Sequence, residues 1–114
     1  MDRVGQIMIK DLVCCLPTSS PEESKSVMEK YKCTKIPVIN KDRMIIGAVS
    51  LNDLKRSARK VIECMTKSVK VVEEDSTVDE CLKMMIMNNI DQVPVIDKQG
   101  HFCGIVTENE LLAN

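Results

Sequence analysis

Nothing in this chain of 114 residues approaches the ~18 uncharged apolar residues that a membrane span requires. Apolar stretches are short; "MMIM" at 84–87 follows Lys83 and precedes two asparagines. The N-terminus, "MDRVGQIMIKD", mixes both charge signs and has no secretory apolar core, so a cytoplasmic location without membrane insertion is expected. A charge surplus is missing too. A net charge of −1 gives no basic face for nucleic acid, and no nucleic-acid partner is expected. Glycine and proline are sparse, four of each, while 44% of residues are apolar and 29% charged, which points to a globular chain. Histidine occurs once, and none of the six cysteines stands in a C-x-x-C pair. Structural zinc draws its ligands from closely spaced pairs, so neither a metal nor a cofactor is expected. Five of the six cysteines fall inside apolar patterns, where a reduced thiol behaves as a small hydrophobe. Cys14-Cys15 stands apart, since neighbours on a strand point to opposite faces.

What is present is a repeat. Shifting the sequence by 57 positions aligns 4–57 with 61–114 without a gap, and 14 of the 54 pairs are identical. Chance in ordinary compositions gives about three or four. The identities include Val4/Val61, Met8/Met65, Met28/Met85, Pro37/Pro94, Val38/Val95, Gly47/Gly104 and Val49/Val106. Two copies are too few for a solenoid, which needs about three repeats to build a continuous core. A pair of half-domains about a pseudo-twofold axis is expected, with boundaries at 1–58 and 59–114.

The second copy predicts its own elements. "SVKVV" (68–72) reads as a strand, and Asp75-Ser76-Thr77 offers caps to a helix with Val78, Cys81, Leu82 and Met85 on one face. Asn88-Asn89 ends it. "QVPVID" (92–97) and "HFCGIV" (101–106) are strands around the turn "DKQG", and Thr107 caps a last short helix, "ENELLA". The unit is β-α-β-β-α. The first copy repeats it, with Ser20-Pro21 opening the helix where proline suits the first turn. The fold class is α+β (mixed α/β): two small sheets, each covered by helices. Lys25 and Glu29 stand where the second copy has Leu82 and Ile86. The second helix (78–88) therefore carries Met84, Ile86 and Met87 beyond its inward stripe. Either the other half covers them or they form a self-association surface, as in a homodimer.

"GAVSLNDL" (47–54) and "GIVTENEL" (104–111) share a hydroxyl-x-x-carboxylate spacing: Ser50 with Asp53, Thr107 with Glu110. On physical grounds alone each is a capping box, the hydroxyl accepting from an amide and the carboxylate reaching back. The same pairs could also edge a binding site. No phosphate-binding loop, dinucleotide fingerprint or nucleophile elbow occurs, and His101 matches Met44 of the other copy at a strand start, so catalysis is not expected.

With "KIPVINKDRMIIGAVSLNDL" and "QVPVIDKQGHFCGIVTENEL" in view, the chain resembles a tandem pair of CBS domains, the family named after a regulatory region of cystathionine beta-synthase. The resemblance spans essentially the whole chain and is weakest over "IKDLVCCLPTSSPEESKSV". It implies two clefts that bind adenosine compounds: AMP, ADP, ATP or S-adenosylmethionine. Carried over residue by residue, Asp53 and Glu110 accept from ribose hydroxyls, and Ser50 and Thr107 donate to a phosphate. Thr34-Lys35 and Asp91-Gln92 lie near the phosphates. Ile36 and Val93, each followed by a strand proline (Pro37, Pro94), flank the purine. The first cleft, with Lys35 as its counter-charge, is the expected site, because Asp91 disfavours a phosphate at the second. One lysine suits AMP or S-adenosylmethionine better than a triphosphate. Such pairs often regulate an attached enzyme or transporter, and this chain is expected to be either free-standing or part of a longer protein. The alternative is a ligand-free dimerisation or docking module.

Overall fold

The computed structural model describes residues 2–113. In chain order the elements are α1 (Val4–Ile7), α2 (Pro21–Tyr31), β1 (Lys35–Ile39), β2 (Ile45–Ser50), 3-10 turns at Asp53–Lys55 and Val61–Glu63, β3 (Val72–Glu73), α3 (Val78–Met87), β4 (Gln92–Ile96), β5 (Phe102–Thr107) and α4 (Glu108–Leu112). The mixed α+β class and its two sheets, one of β1-β2 and one of β3-β4-β5, match the expectation.

The hairpins explain why the two copies remain alike. β1 pairs antiparallel with β2 from Lys35↔Ser50 to Ile39↔Ile45, and β4 with β5 from Gln92↔Thr107 to Ile96↔Phe102. Both carry an irregularity at the same place, after Val38 and after Val95. The turns are built alike as well: Asn40 Oδ1 accepts from the amides of Asp42 and Met44, and Asp97 Oδ1 from those of Gln99 and His101. Each turn needs one left-handed residue, supplied by Gly100 in the second copy and by Arg43 in the first.

The expected strand at 68–72 is shorter than its β-rich composition suggests. Only Val72 and Glu73 pair, in parallel with Val95 and Ile96. One step back the register meets Pro94, which has no amide to donate, so the ladder stops there. The first copy carries this further: its strand reduces to one parallel bridge, Cys15↔Val38, the counterpart of Val72↔Val95.

The helices start as their caps dictate. Ser20 and Thr77 accept from the amides of Glu23 and Glu80, whose carboxylates accept in return from the amides of Ser20 and Thr77. Pro21 occupies the first turn of α2. Asn88 caps the end of α3, and Asn89 follows in the left-handed region.

The compact units cut across the repeat boundaries. One comprises Met1–Leu12 with Lys70–Asn114, the other Val13–Val69. The reason is a strap on each. Residues 4–9 dock on the second copy: the Val4 and Gly5 amides donate to the carbonyls of Ser76 and Glu74, and Ile9 exchanges two backbone hydrogen bonds with Ile105. Residues 61–66 dock in the same way on the first copy, where Thr66 exchanges hydrogen bonds with Ala48. A Cβ on Gly104 would lie 2.6 Å from Met8 Sδ and 2.9 Å from the Ile9 carbonyl. On Gly47 it would lie 2.6 Å from Met65 Sδ and 2.9 Å from the Thr66 carbonyl. Gly47/Gly104, Met8/Met65 and Val4/Val61 are thus identical for one shared cause: strand and strap approach too closely for any side chain.

Each unit has its own core. Val4, Val72, Cys81, Met85, Val93, Val95, Val106 and Leu111 fill one. Cys15, Met28, Ile36, Val38, Val49, Val61 and Cys64 fill the other. All six cysteines are free thiols; Cys15, Cys64 and Cys81 are buried, and Cys14, Cys33 and Cys103 half-buried. Burial pushes the thiols of Cys14, Cys15, Cys33, Cys64 and Cys81 above the ordinary thiol range. Cys14 and Cys15 part as neighbours on an extended segment do, only the second entering the core. No described helix is long and apolar enough to cross a membrane.

Candidate functional site

In the first copy the motif lies where β2 ends. Ser50 is paired with Lys35 of β1, and the Leu51 amide donates to the Thr34 carbonyl, which ties the start of one strand to the end of the other. The Ser50 amide donates to Asp53 Oδ2 (2.9 Å) and the Asp53 amide donates to Ser50 Oγ (3.1 Å). The capping box is therefore formed, over a 3-10 turn of three residues. It leaves capacity unused: the Ser50 hydroxyl proton and Asp53 Oδ1 have no hydrogen-bond partner among the described residues. Both side chains are half-buried, whereas Thr34 and Lys35 are exposed.

The second copy has the same backbone plan, with the Glu108 amide donating to the Asp91 carbonyl. Its side chains are arranged differently. Glu110 Oε1 accepts from the Thr107 amide (2.6 Å) and also from the Thr107 hydroxyl (2.8 Å), while the hydroxyl oxygen accepts from the Asn109 amide (3.2 Å). The extra methylene of glutamate lets the carboxylate swing back onto the hydroxyl. The Thr107 proton is thus consumed within the motif.

Of the other expected site residues, Gln92 and Pro94 are half-buried on β4 and Asp91 is exposed just before it. Ile36, Val93 and Pro37 are buried; Ile36 and Val93 belong to the two cores, so their side chains face packing partners rather than an open surface.

Two residues escaped the sequence reading. Lys55 and Arg56 close the 3-10 turn that Asp53 opens, and the Arg56 amide donates to the Asp53 carbonyl (3.1 Å). The Arg56 charge acts on the buried Cys64 thiol. Burial raises that thiol, the Asp53 carboxylate raises it further, and Arg56 counters them. The signal lay in the repeat: at an offset of 57, Lys55 and Arg56 face Leu112 and Ala113. No group of three or more His, Cys, Asp or Glu side chains that could hold a metal ion occurs among the described residues.

The fold and the paired motif define a tandem α+β repeat module. The chain belongs to the CBS domain family, whose model matches residues 4–60 and 61–114. Among curated proteins it is 28% identical to inosine-5'-monophosphate dehydrogenase of Methanocaldococcus jannaschii, over 96% of this chain and 23% of that protein. It is also 40% identical to an uncharacterized protein of the same organism, over 75% of each. The chain thus spans about a quarter of the length of the dehydrogenases it matches. Among solved structures, CBSX2 in complex with AMP superposes with a TM-score of 0.88 at 23% identity, covering 99% of this chain and 95% of that one. The cytosolic domain of the Mg2+ channel MgtE in complex with ATP superposes with a TM-score of 0.86 at 25% identity, covering 98% and 48%.

Proposed function

We propose that the chain is a regulatory module that binds an adenosine-type ligand (AMP, ADP, ATP or S-adenosylmethionine) at Ser50 and Asp53 and acts without a catalytic step of its own. The observation that carries this reading is the unused capacity of the first motif: a carboxylate oxygen able to accept from a ribose hydroxyl, next to a hydroxyl able to donate to a phosphate. Family membership and the AMP and ATP complexes of two structural neighbours support the ligand class. The relatives include an enzyme and a channel domain, which supports a regulated enzyme or transporter as the partner, in a cytoplasmic setting. Ligand binding would act by favouring whichever conformation holds it more tightly.

Thermal melting of the purified protein with each of the four ligands tests this. A ligand at 100 times its dissociation constant adds about 2.7 kcal/mol, a rise of several degrees. The expected result is a rise for at least one ligand that is lost in Asp53→Ala, while the unliganded variant loses only about 1 kcal/mol, the worth of a cap. No rise with any ligand would return Ser50 and Asp53 to capping alone.

One observation favours self-association as a second role. Ile86 and Met87 on α3 are 69% and 84% exposed, where the first copy has Glu29 and Lys30. Apolar residues so exposed next to each other suit a homodimer contact. Sedimentation of the Ile86→Glu, Met87→Lys variant should then report a monomer where the native chain reports a dimer.

A further inference from the structure

The equivalent ends of the two copies carry opposite charge. Around Ser50 and Asp53 stand Lys35, Lys55 and Arg56, all exposed. The matching residues around Thr107 and Glu110 are Gln92, Leu112 and Ala113. Asp91 and Glu108, both exposed, replace Thr34 and Leu51. The first site thus has three cations against one carboxylate, and the second has three carboxylates and no cation.

The basic side continues along the chain in "KRSARK" (55–60), where Arg59 and Lys60 are exposed too. None of these four side chains forms an ion pair among the described residues. Four unpaired like charges within six residues repel one another, in a chain whose overall charge is −1. A bound polyanion relieves that repulsion, and AMP, with a single phosphate, leaves most of it in place.

We propose that the first site reads phosphate number: Lys35, Lys55 and Arg56 take the phosphate chain of the ligand whose ribose Asp53 holds, and the second site rejects phosphate-bearing ligands. This rests on the adenosine reading above. Each chain then binds one nucleotide, with affinity rising from adenosine through AMP and ADP to ATP.

Isothermal titration of the full chain with adenosine, AMP, ADP and ATP, at low and at raised salt, tests it. The expected result is one nucleotide per chain, with ATP at least about tenfold tighter than adenosine at low salt and the advantage shrinking as salt screens the charges. In Lys55→Ala/Arg56→Ala, ATP affinity falls about tenfold while adenosine affinity stays within about twofold, because neutral adenosine feels no Coulomb loss. Equal affinities across the series, an unchanged ATP affinity in the double variant, or two nucleotides per chain would overturn the inference and leave adenosine recognition standing. Failure of every ligand, adenosine included, would overturn both.

Discussion

The two copies share the same hairpin and strap and differ in what they do with them. Hairpin register, strand irregularity, turn and strap coincide at an offset of 57. The side chains at the ends of the last strands have diverged in hydrogen bonding and in charge. Serine with aspartate leaves a donor and an acceptor unused, whereas threonine with glutamate closes on itself. A capping box at this position is therefore a scaffold requirement met twice, and only the first copy leaves a donor and an acceptor open to a further partner. The boxes that start α2 and α3 make the same point, since Ser20/Glu23 and Thr77/Glu80 share the spacing and only begin helices.

The largest effect is expected at Phe102, fully buried where the first copy has the half-buried Ile45. Phe102→Ala should cost about 3–5 kcal/mol and Ile45→Val only about 0.5–1.5, read by denaturant unfolding. Next come the strap contacts. Gly47→Ala and Gly104→Ala each press a Cβ onto a carbonyl held in a two-bond bridge, so each should cost about 1–3 kcal/mol. A large difference between the two would mean that the straps are not equivalent.

Ser24 offers a gain. It is fully buried, its hydroxyl meets only the weakly bonding Cys15 thiol, and the second copy has Cys81 in its place. Ser24→Cys should stabilise by about 1 kcal/mol, because a poorly paired buried hydroxyl leaves the core. The smallest effect at neutral pH comes from the thiols. A thiol raised in the folded state contributes stability that is complete below its unfolded value, near 9.0, and is lost as pH rises through the folded value. Four of the raised thiols (Cys14, Cys15, Cys33 and Cys64) lie in the unit Val13–Val69 and one, Cys81, in the other. Melting followed from pH 8 to 11 should therefore show Val13–Val69 weakening more steeply, and parallel decline of both units would contradict that assignment.

Much of the architecture was legible in the sequence because the repeat supplied each element twice. Strands with β-branched alternation, the Ser20 and Thr77 caps and the turns at 40–43 and 97–100 all follow from local chemistry. The straps were not legible. Residues 4–9 and 61–66 carry no strong helix or strand period, and their partners lie far away along the chain; only the identities Val4/Val61 and Met8/Met65 hinted that both copies need them. The first strand was legible but its length was not, because composition does not reveal that Pro94 faces its register. At the site, Ser50 and Asp53 stood out by their spacing. Lys55 and Arg56 did not, because charged residues after a short helix read as solvated surface until the second copy is set beside them.

The most direct test of the account is equilibrium binding of a labelled adenosine nucleotide to the native chain, Asp53→Ala and Glu110→Ala. The divergence of the two copies predicts that Asp53→Ala abolishes binding and that Glu110→Ala binds as the native chain does, with one nucleotide per chain in both the native chain and Glu110→Ala. Binding that survives Asp53→Ala and disappears in Glu110→Ala would place the ligand in the second copy and contradict the account.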